Sequence, residues 1–395
     1  MKIGIIGTGT AGILSTAFVL AYAPETIEVY SIYNPKKPIL GIGESTSTQI
    51  PGILCDSIGF TLLEDSDQLD ATFKLGVKFS DWRKKDFYSH IMPVSYAMHF
   101  DNHSIKEYTF DKFNQFNNFN EIHGNVDNLK NEEDKVVATI DGITHEFDYV
   151  VDCGGYPNDY SEYNMNDFIS LNSCFVHNTK PENYNYTHHK ATPNGWMFGI
   201  PLQSRQSWGY LYNDRITKRE DAIINFQTYC DDIVTEELKE FKFKSYSAKT
   251  YFDGRILKNG NRALFYEPME AFMGFFYERV IKSFFDFLYV HNNIPMTNES
   301  IQQIADDIEN AICFIYKGGS IYNTPFWKEQ TKLAKQKLKN NIKWKHQVEM
   351  IKQIKNSGNS QTRKEGVGAF PVKSWLDFDI NLKYNMFWNK YNVIP

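Results

Sequence analysis

The opening stretch, MKIGIIGTGTAGILSTAFVLAYA, constrains the fold more than any other part of the chain. KIGIIG reads as a buried strand, and GTGTAG sets Gly7, Gly9 and Gly12 at GxGxxG spacing ahead of a helix. Each glycine has a separate task. Gly7 permits the tight turn, Gly9 lets backbone approach a pyrophosphate, and Gly12 allows helix and strand to pack closely. Free N–H groups and the positive dipole end at the helix start, around Thr10 and Ala11, complete a cradle for a dinucleotide phosphate. The same run, with Lys2 and AYA at 21–23, imitates a secretory signal peptide. The strand-turn-helix reading takes precedence over it. The next strand, Ile27 to Ile32, is expected to end in an acidic residue that holds a ribose hydroxyl. Ser31 stands there instead, which predicts uncharged and weaker anchoring of the adenosine end.

A second stretch, Asp70 to Trp82 (DATFKLGVKFSDW), sets one lysine inside an aromatic and aliphatic run. Strand alternation puts Phe73, Leu75, Val77 and Phe79 on one face and Thr72, Lys74, Gly76 and Lys78 on the other. On pattern alone Lys74 is open to two readings, an edge-strand lysine showing its charge to water or a cation held in a site.

Composition narrows the classes. At 395 residues and 42% hydrophobic, the chain can bury a large core and hold two subdomains. A net charge of −6 leaves no basic footprint, so no nucleic-acid partner is expected. Aromatics at 15% supply flat surfaces for a pocket as well as ordinary core. Cys55, Cys153, Cys174, Cys230 and Cys313 are odd in number and lack a CxxC pair, which points to a reduced, cytoplasmic protein. No window is apolar enough to span a bilayer. The histidines at 99, 103, 188 and 189 lack converging ligands, so no metal is expected. Phe110 to Asn131 reads as a helical or looped connector, and Thr331 to Lys355 as a lysine-rich surface helix.

GIGESTSTQIP, Gly41 to Pro51, followed by DATFKLGVKFSDW, resembles the paired signature of the flavin-dependent halogenases of the tryptophan halogenase type. FDYVVDCGGY, Phe147 to Tyr156, is similar to the family's strand and glycine turn beside the flavin, at Gly154. GWMFGIPL resembles its WxWxIP motif, with Trp196, Ile200 and Pro201 kept and Phe198 in place of the second tryptophan. EPMEAFMGF, Glu267 to Phe275, resembles the segment carrying the family's essential glutamate, which puts that role on Glu270. NTPFW at 323–327 and SWL at 374–376 match later landmarks in order.

The resemblance implies an α/β chain: a three-layer, Rossmann-type FAD domain with a mostly helical substrate subdomain. The FAD-binding core, with inserted substrate-facing segments, is expected over 1–330, and a helical C-terminal region packing on it over 331–395. It implies that reduced FAD, delivered by a separate flavin reductase, and oxygen convert halide to hypohalous acid. This acid travels through the protein to the catalytic Lys74, and Glu270 orients it and accepts the arene proton. Gly7, Gly9, Thr10, Ala11, Gly12, Ser31, Gly43, Glu44, Ser45, Thr46 and Gly154 are the expected cofactor-binding residues. Backbone at Phe272, Met273 and Gly274 is the expected halide site. A small phenol- or indole-like aromatic is the expected substrate, and a homo-oligomer is left open.

Departures carry expectations too. Ala271 and Phe272 replace the family's Ser and Thr, which makes a less polar wall and favours bromide or iodide over chloride. GNRALFY before Glu267 is shortened, which with Ser31 predicts loose FAD binding. The region after NTPFW is trimmed, which predicts an open pocket, with His99, Phe100 and Trp375 as candidate liners. Glu267 and Glu270 also fit a plain helix start. An FAD-dependent aromatic monooxygenase and a non-catalytic flavin-binding protein remain alternatives.

Overall fold

The computed structural model describes residues 1–39, 45–90, 96–230, 233–357 and 366–387. β1 (Lys2–Ile6) leads through Gly7 into α1 (Thr10–Tyr22), and β2 (Glu28–Tyr33) returns beside β1 in parallel. Two short helices follow, α2 (Gln49–Ile58) and α3 (Leu62–Asp65). Four short strands come next: β3 (Thr72–Lys74), β4 (Val77–Ser80), β5 (Phe87–Ser89) and β6 (Ala97–His99). α4 (Asn102–Phe113) then gives way to β7 (Phe119–His123) and a meander of β8 (Val126–Asn131), β9 (Val136–Ile140) and β10 (Ile143–Phe147). The connector expected over Phe110 to Asn131 instead holds the end of α4 and the strands β7 and β8, and Phe119 is the phenylalanine of this stretch that lies in a strand.

After β11 (Tyr149–Asp152) and β12 (Tyr163–Met165), the long strands β13 (Ser173–Thr179), β14 (Thr187–Thr192), β15 (Gly195–Pro201) and β16 (Gln206–Tyr212) follow in turn. α5 (Arg219–Tyr229) precedes β17 (Lys239–Lys242), β18 (Tyr246–Ala248), β19 (Phe252–Asp253), β20 (Ile256–Lys258) and β21 (Leu264–Phe265). The remainder is mostly helical: α6 (Phe272–Asp286), α7 (Ile294–Tyr316), α8 (Pro325–Asn340) and α9 (Ile342–Asn356). A small hairpin, β22 (Gly366–Val367) and β23 (Phe370–Pro371), leads into α10 (Val372–Asn381). The boundary expected at residue 330 falls inside α8, since an unbroken helix crosses it.

Three layers form around the first sheet, whose order is β19-β20-β11-β1-β2-β7. Ile3 and Ile5 of β1 face one way and pack with Ile13, Leu14 and Ala17 of α1 and with Ile281 and Phe284 of α6. Ile6 and Ile32 face the other way, against Val136, Ala138 and Ile140 of the meander. A central strand covered on both faces needs an apolar run rather than an alternation, which is what KIGII supplies. α1 is buried along most of its length, so it too is apolar nearly all round. The signal-like appearance of this stretch comes from that double burial.

The second large sheet runs β17-β13-β16-β15-β14-β4-β5 and is antiparallel except where β14 meets β4. No helix among the described residues is long and apolar enough to cross a membrane.

Candidate active site

The first site component is the turn after β1. Gly7 adopts φ +93°. A Cβ on Gly12 would lie 1.9 Å from the Gly7 carbonyl oxygen, so only glycine lets α1 start this close to the strand. A Cβ on Gly9 would meet nothing within 4 Å, and Gly9 caps α1 without a side-chain bond. The first N–H groups of α1, at Thr10, Ala11 and Gly12, have no acceptor within the helix and, beside the open space at Gly9, fit the pyrophosphate of a dinucleotide cofactor. Gly260 closes the far side, its missing Cβ leaving room for Ala11. Gly154 follows β11, where its N–H donates to Asp152 and its carbonyl accepts from Arg262.

Ser31 does not stand where the ribose acid was expected. It pairs with Ile5 on one side and Glu121 on the other, is 1% exposed, and its Oγ has no partner among the described residues. β2 runs two residues further and ends at Tyr33. Gly43 and Glu44 lie outside the described residues. Ser45 and Thr46 are described, and both are engaged internally. Ser45 Oγ pairs with Thr187 Oγ1 at 3.2 Å, and Thr46 exchanges two bonds with Met98 of β6 through its N–H and hydroxyl.

Lys74 ends β3, which pairs with β6. The run expected as one strand is two, β3 and β4, and the alternation breaks at Leu75 and Gly76. Lys74 is 2% exposed while Leu75 is 41% exposed, so of the two readings Lys74 fits the buried cation and not the edge-strand lysine. The two strands belong to different sheets, and Leu75 N–H instead donates to Asn185. Lys78, on β4, is partly exposed and pairs with Asp86 at 3.1 Å.

The ammonium of Lys74 donates to the Thr46 carbonyl at 3.1 Å. Thr72, two residues earlier, donates to the Pro201 carbonyl at 2.6 Å and also lies against His99 Nδ1. The end of β15 thus holds the strand that presents Lys74. Trp196, Phe198 and Ile200 are buried in β15, Trp196 against Trp82 and His189 and Phe198 across Gly209. Their place is packing in the second sheet.

Glu270 stands just before α6, at φ 56°, and Ala271 repeats that left-handed conformation at φ 56°. Two consecutive non-glycine residues there mark stored backbone strain. The turn aims the Glu270 carboxylate at β5, where Ser89 Oγ donates to Oε1 at 2.8 Å and His90 Nε2 lies 3.2 Å from Oε2. Burial pulls the Lys74 ammonium below its ordinary range, and Glu270 partly restores it. Burial pushes the Glu270 carboxyl up, and Lys74 and the Ser89 bond oppose that rise. No direct ion pair joins them, so they act on each other across a gap. His90 is pushed down to about 4, first by burial and then by the Lys74 charge, and is neutral at pH 7.

Phe272, Met273 and Gly274 form the first turn of α6, and the Gly274 side faces the Ser45 carbonyl and Ile50. An apolar cavity of about 10 Å³ lies beside His90, lined by Phe272, Phe314, Phe370, Trp375 and Phe378. Ser374, Trp375 and Phe378 of α10 form part of that lining. Of the expected liners Trp375 is there. His99 instead bonds Thr187 and Thr72 beside β3, and Phe100 is core. Ser89 and His90 are site residues that the sequence reading passed over. FYSH carries no spacing signal, and only the β4–β5 pairing brings it to Glu270.

The family model for tryptophan halogenase matches residues 2–92 and 83–384. Tryptophan 7-halogenase RebH of Lentzea aerocolonigenes is 20% identical over 84% of this chain and 79% of its own. Tryptophan 6-halogenase ThaL of Streptomyces albogriseolus is 21% identical over 86% and 80% respectively. A flavin-dependent halogenase from Xanthomonas campestris shares the fold with a TM-score of 0.82, at 17% identity over 96% of this chain and 88% of that one. Matched nearly end to end, with an α/β fold to correspond, this chain belongs to the flavin-dependent tryptophan halogenase family.

Proposed function

We propose that the protein halogenates an electron-rich aromatic substrate, of phenol or indole type, by electrophilic substitution at Lys74 and Glu270. The observation that carries this reading is a buried lysine whose hydrogen-bond partner among the described residues is the Thr46 carbonyl, electrostatically linked to a buried carboxylate. A buried cation without a direct counter-ion is costly, and a site is the reason to keep one.

Bound at the glycine cradle in reduced form, FAD supplies with oxygen and halide the hypohalous acid. The chain's own groups do the rest. Lys74, charged, donates a hydrogen bond to the hypohalous oxygen and makes it a better leaving group. As the O–X bond breaks and the C–X bond forms, the Lys74 proton leaves with that oxygen as water. Glu270 takes the proton released by the arene and returns it to Lys74. Ser89 donates to the carboxylate and holds it in place, with neutral His90 beside it. The apolar wall at Phe272 and Met273 suits large, polarizable halides, so bromide or iodide is preferred to chloride. A separate flavin reductase supplies the reduced cofactor. The free cysteines Cys55, Cys153, Cys174 and Cys313 fit a reducing, cytoplasmic setting.

The test combines the protein with FAD, a flavin reductase, NADH, an arene panel and each halide, with free hypohalous acid as control. Halogenated product is expected to fall by about 100- to 10,000-fold in Lys74→Ala and Glu270→Ala. Product that survives Lys74→Ala would remove lysine from the mechanism, and hydroxylated product would indicate a monooxygenase. Halide competition is expected to rank bromide or iodide first, and a strong chloride preference would defeat that part. A charged Lys74 also predicts that mass spectrometry finds no long-lived N-halo adduct.

A further inference from the structure

The dinucleotide cradle lacks the acidic residue that should end β2, yet the structure places a carboxylate at that corner from elsewhere. β7 lies beside β2 in parallel, with Glu121 opposite Ser31 and His123 opposite Tyr33. Side chains at these four positions leave the sheet on one face. Tyr33 OH donates to Glu121 Oε2 at 2.5 Å, and His123 Nε2 lies 3.1 Å from both groups. Asn114 donates to the other carboxylate oxygen at 2.9 Å.

The corner is next to the phosphate cradle. Gly7 N–H bonds the carbonyl of Ile32, so Tyr33 begins where the glycine turn leaves off. An adenosine attached to a pyrophosphate at α1 has its ribose at the carboxyl end of β2. His123 is about half exposed and Glu121 partly so, which leaves the cluster open to a ligand. Burial raises the Glu121 carboxyl, but the bonds from Tyr33, His123 and Asn114 outweigh it and hold the group below its ordinary range. Glu121 is therefore an ionised acceptor at neutral pH. Lys106 sits 4.6 Å over the Tyr33 ring and fixes it from the α4 side.

We propose that Tyr33, Glu121 and His123 form the ribose end of the cofactor site, with Glu121 supplying from β7 the carboxylate missing from β2. This rests on the flavin reading above. Tyr33 OH, oriented by Glu121, accepts from one ribose hydroxyl, and the remaining acceptor capacity of Glu121 meets the other. Ser31, buried two residues back, takes no part.

The experiment titrates full-length protein with FAD, FMN and ADP, following flavin fluorescence and competition, with a melting curve for each variant. FMN lacks adenosine, and 2′,3′-dideoxy-ADP lacks the ribose hydroxyls. Glu121→Gln and Tyr33→Phe are expected to weaken FAD binding by about tenfold or more while leaving FMN binding and melting unchanged. The parent should prefer ADP to the dideoxy form, and Glu121→Gln should lose that preference. FAD binding within twofold of the parent in both variants would overturn the assignment, as would equal weakening of FAD and FMN. A parent that binds neither flavin would overturn the flavin reading itself, and this assignment with it.

Discussion

At the scale of single residues, the site depends on how burial and neighbouring charge are balanced at Lys74 and Glu270. Both are removed from water, and each makes the other's ionised form easier to keep. The active form needs an ionised Glu270 and a protonated Lys74, so activity should follow a bell in pH. Burial moves the acid limb up from the ordinary carboxylate range and the alkaline limb down from the ordinary lysine range. Ser89 lowers the Glu270 value through its hydrogen bond, so Ser89→Ala is expected to move the acid limb to higher pH and leave the alkaline limb in place. A pH profile of kcat/KM that shifts the other way would show that Ser89 does not hold the ionised form. None of this was legible around Ser89, because no motif marks it. Glu270 and Lys74 were legible only through the family pattern, since a lysine in a strand and an acid at a helix start each have an ordinary explanation.

At the scale of elements, two glycines of one motif carry different loads. Gly12 is needed by the fold, because a methyl there collides with backbone. Gly9 is needed only by what sits in the open space above it. Gly12→Ala is therefore expected to lower stability by roughly 3 kcal/mol and to lose flavin with it. Gly9→Ala should melt close to the parent but bind FAD about tenfold more weakly. A thermal melt and a flavin titration on each protein separate the two cases, and equal loss of stability in both would refute the distinction. The strand holding Lys74 shows the limit of reading elements from pattern. Period two predicts one continuous strand through Leu75, whereas Leu75 and Gly76 are the crossover between two sheets. Alternation reports local backbone, and it cannot say that neighbouring residues pair with different partners.

At the scale of the whole molecule, α10 lends Trp375 and Phe378 to the wall of the small cavity beside His90. The hairpin before it is held by Asp307 of α7, whose carboxylate accepts the Ala369 N–H and bonds from Gln303 and Gln347. A second buried acid, Glu267, receives the Tyr316 hydroxyl at 2.9 Å and is pushed up to about 8 by burial. Folded protein thus keeps a proton at Glu267 that the unfolded chain releases above its ordinary value near 4.5. The stability this contributes is complete below that value and is lost as pH rises towards about 8. Glu267→Gln should flatten the fall of Tm between those limits, and an unchanged slope would show that Glu267 is not responsible. The sequence by itself determined the dinucleotide fold, because KIGII and three spaced glycines leave few other ways to bury a strand and turn it. It also determined the family, through motifs in a fixed order. Only the tertiary structure decided that Ser31 is buried inside β2, that Ser89 and His90 meet Glu270, and that Glu121 reaches the corner beside Tyr33. These arrangements join residues far apart in the chain, and their contacts come from strand pairing and packing, which leave no local trace in residue type or period.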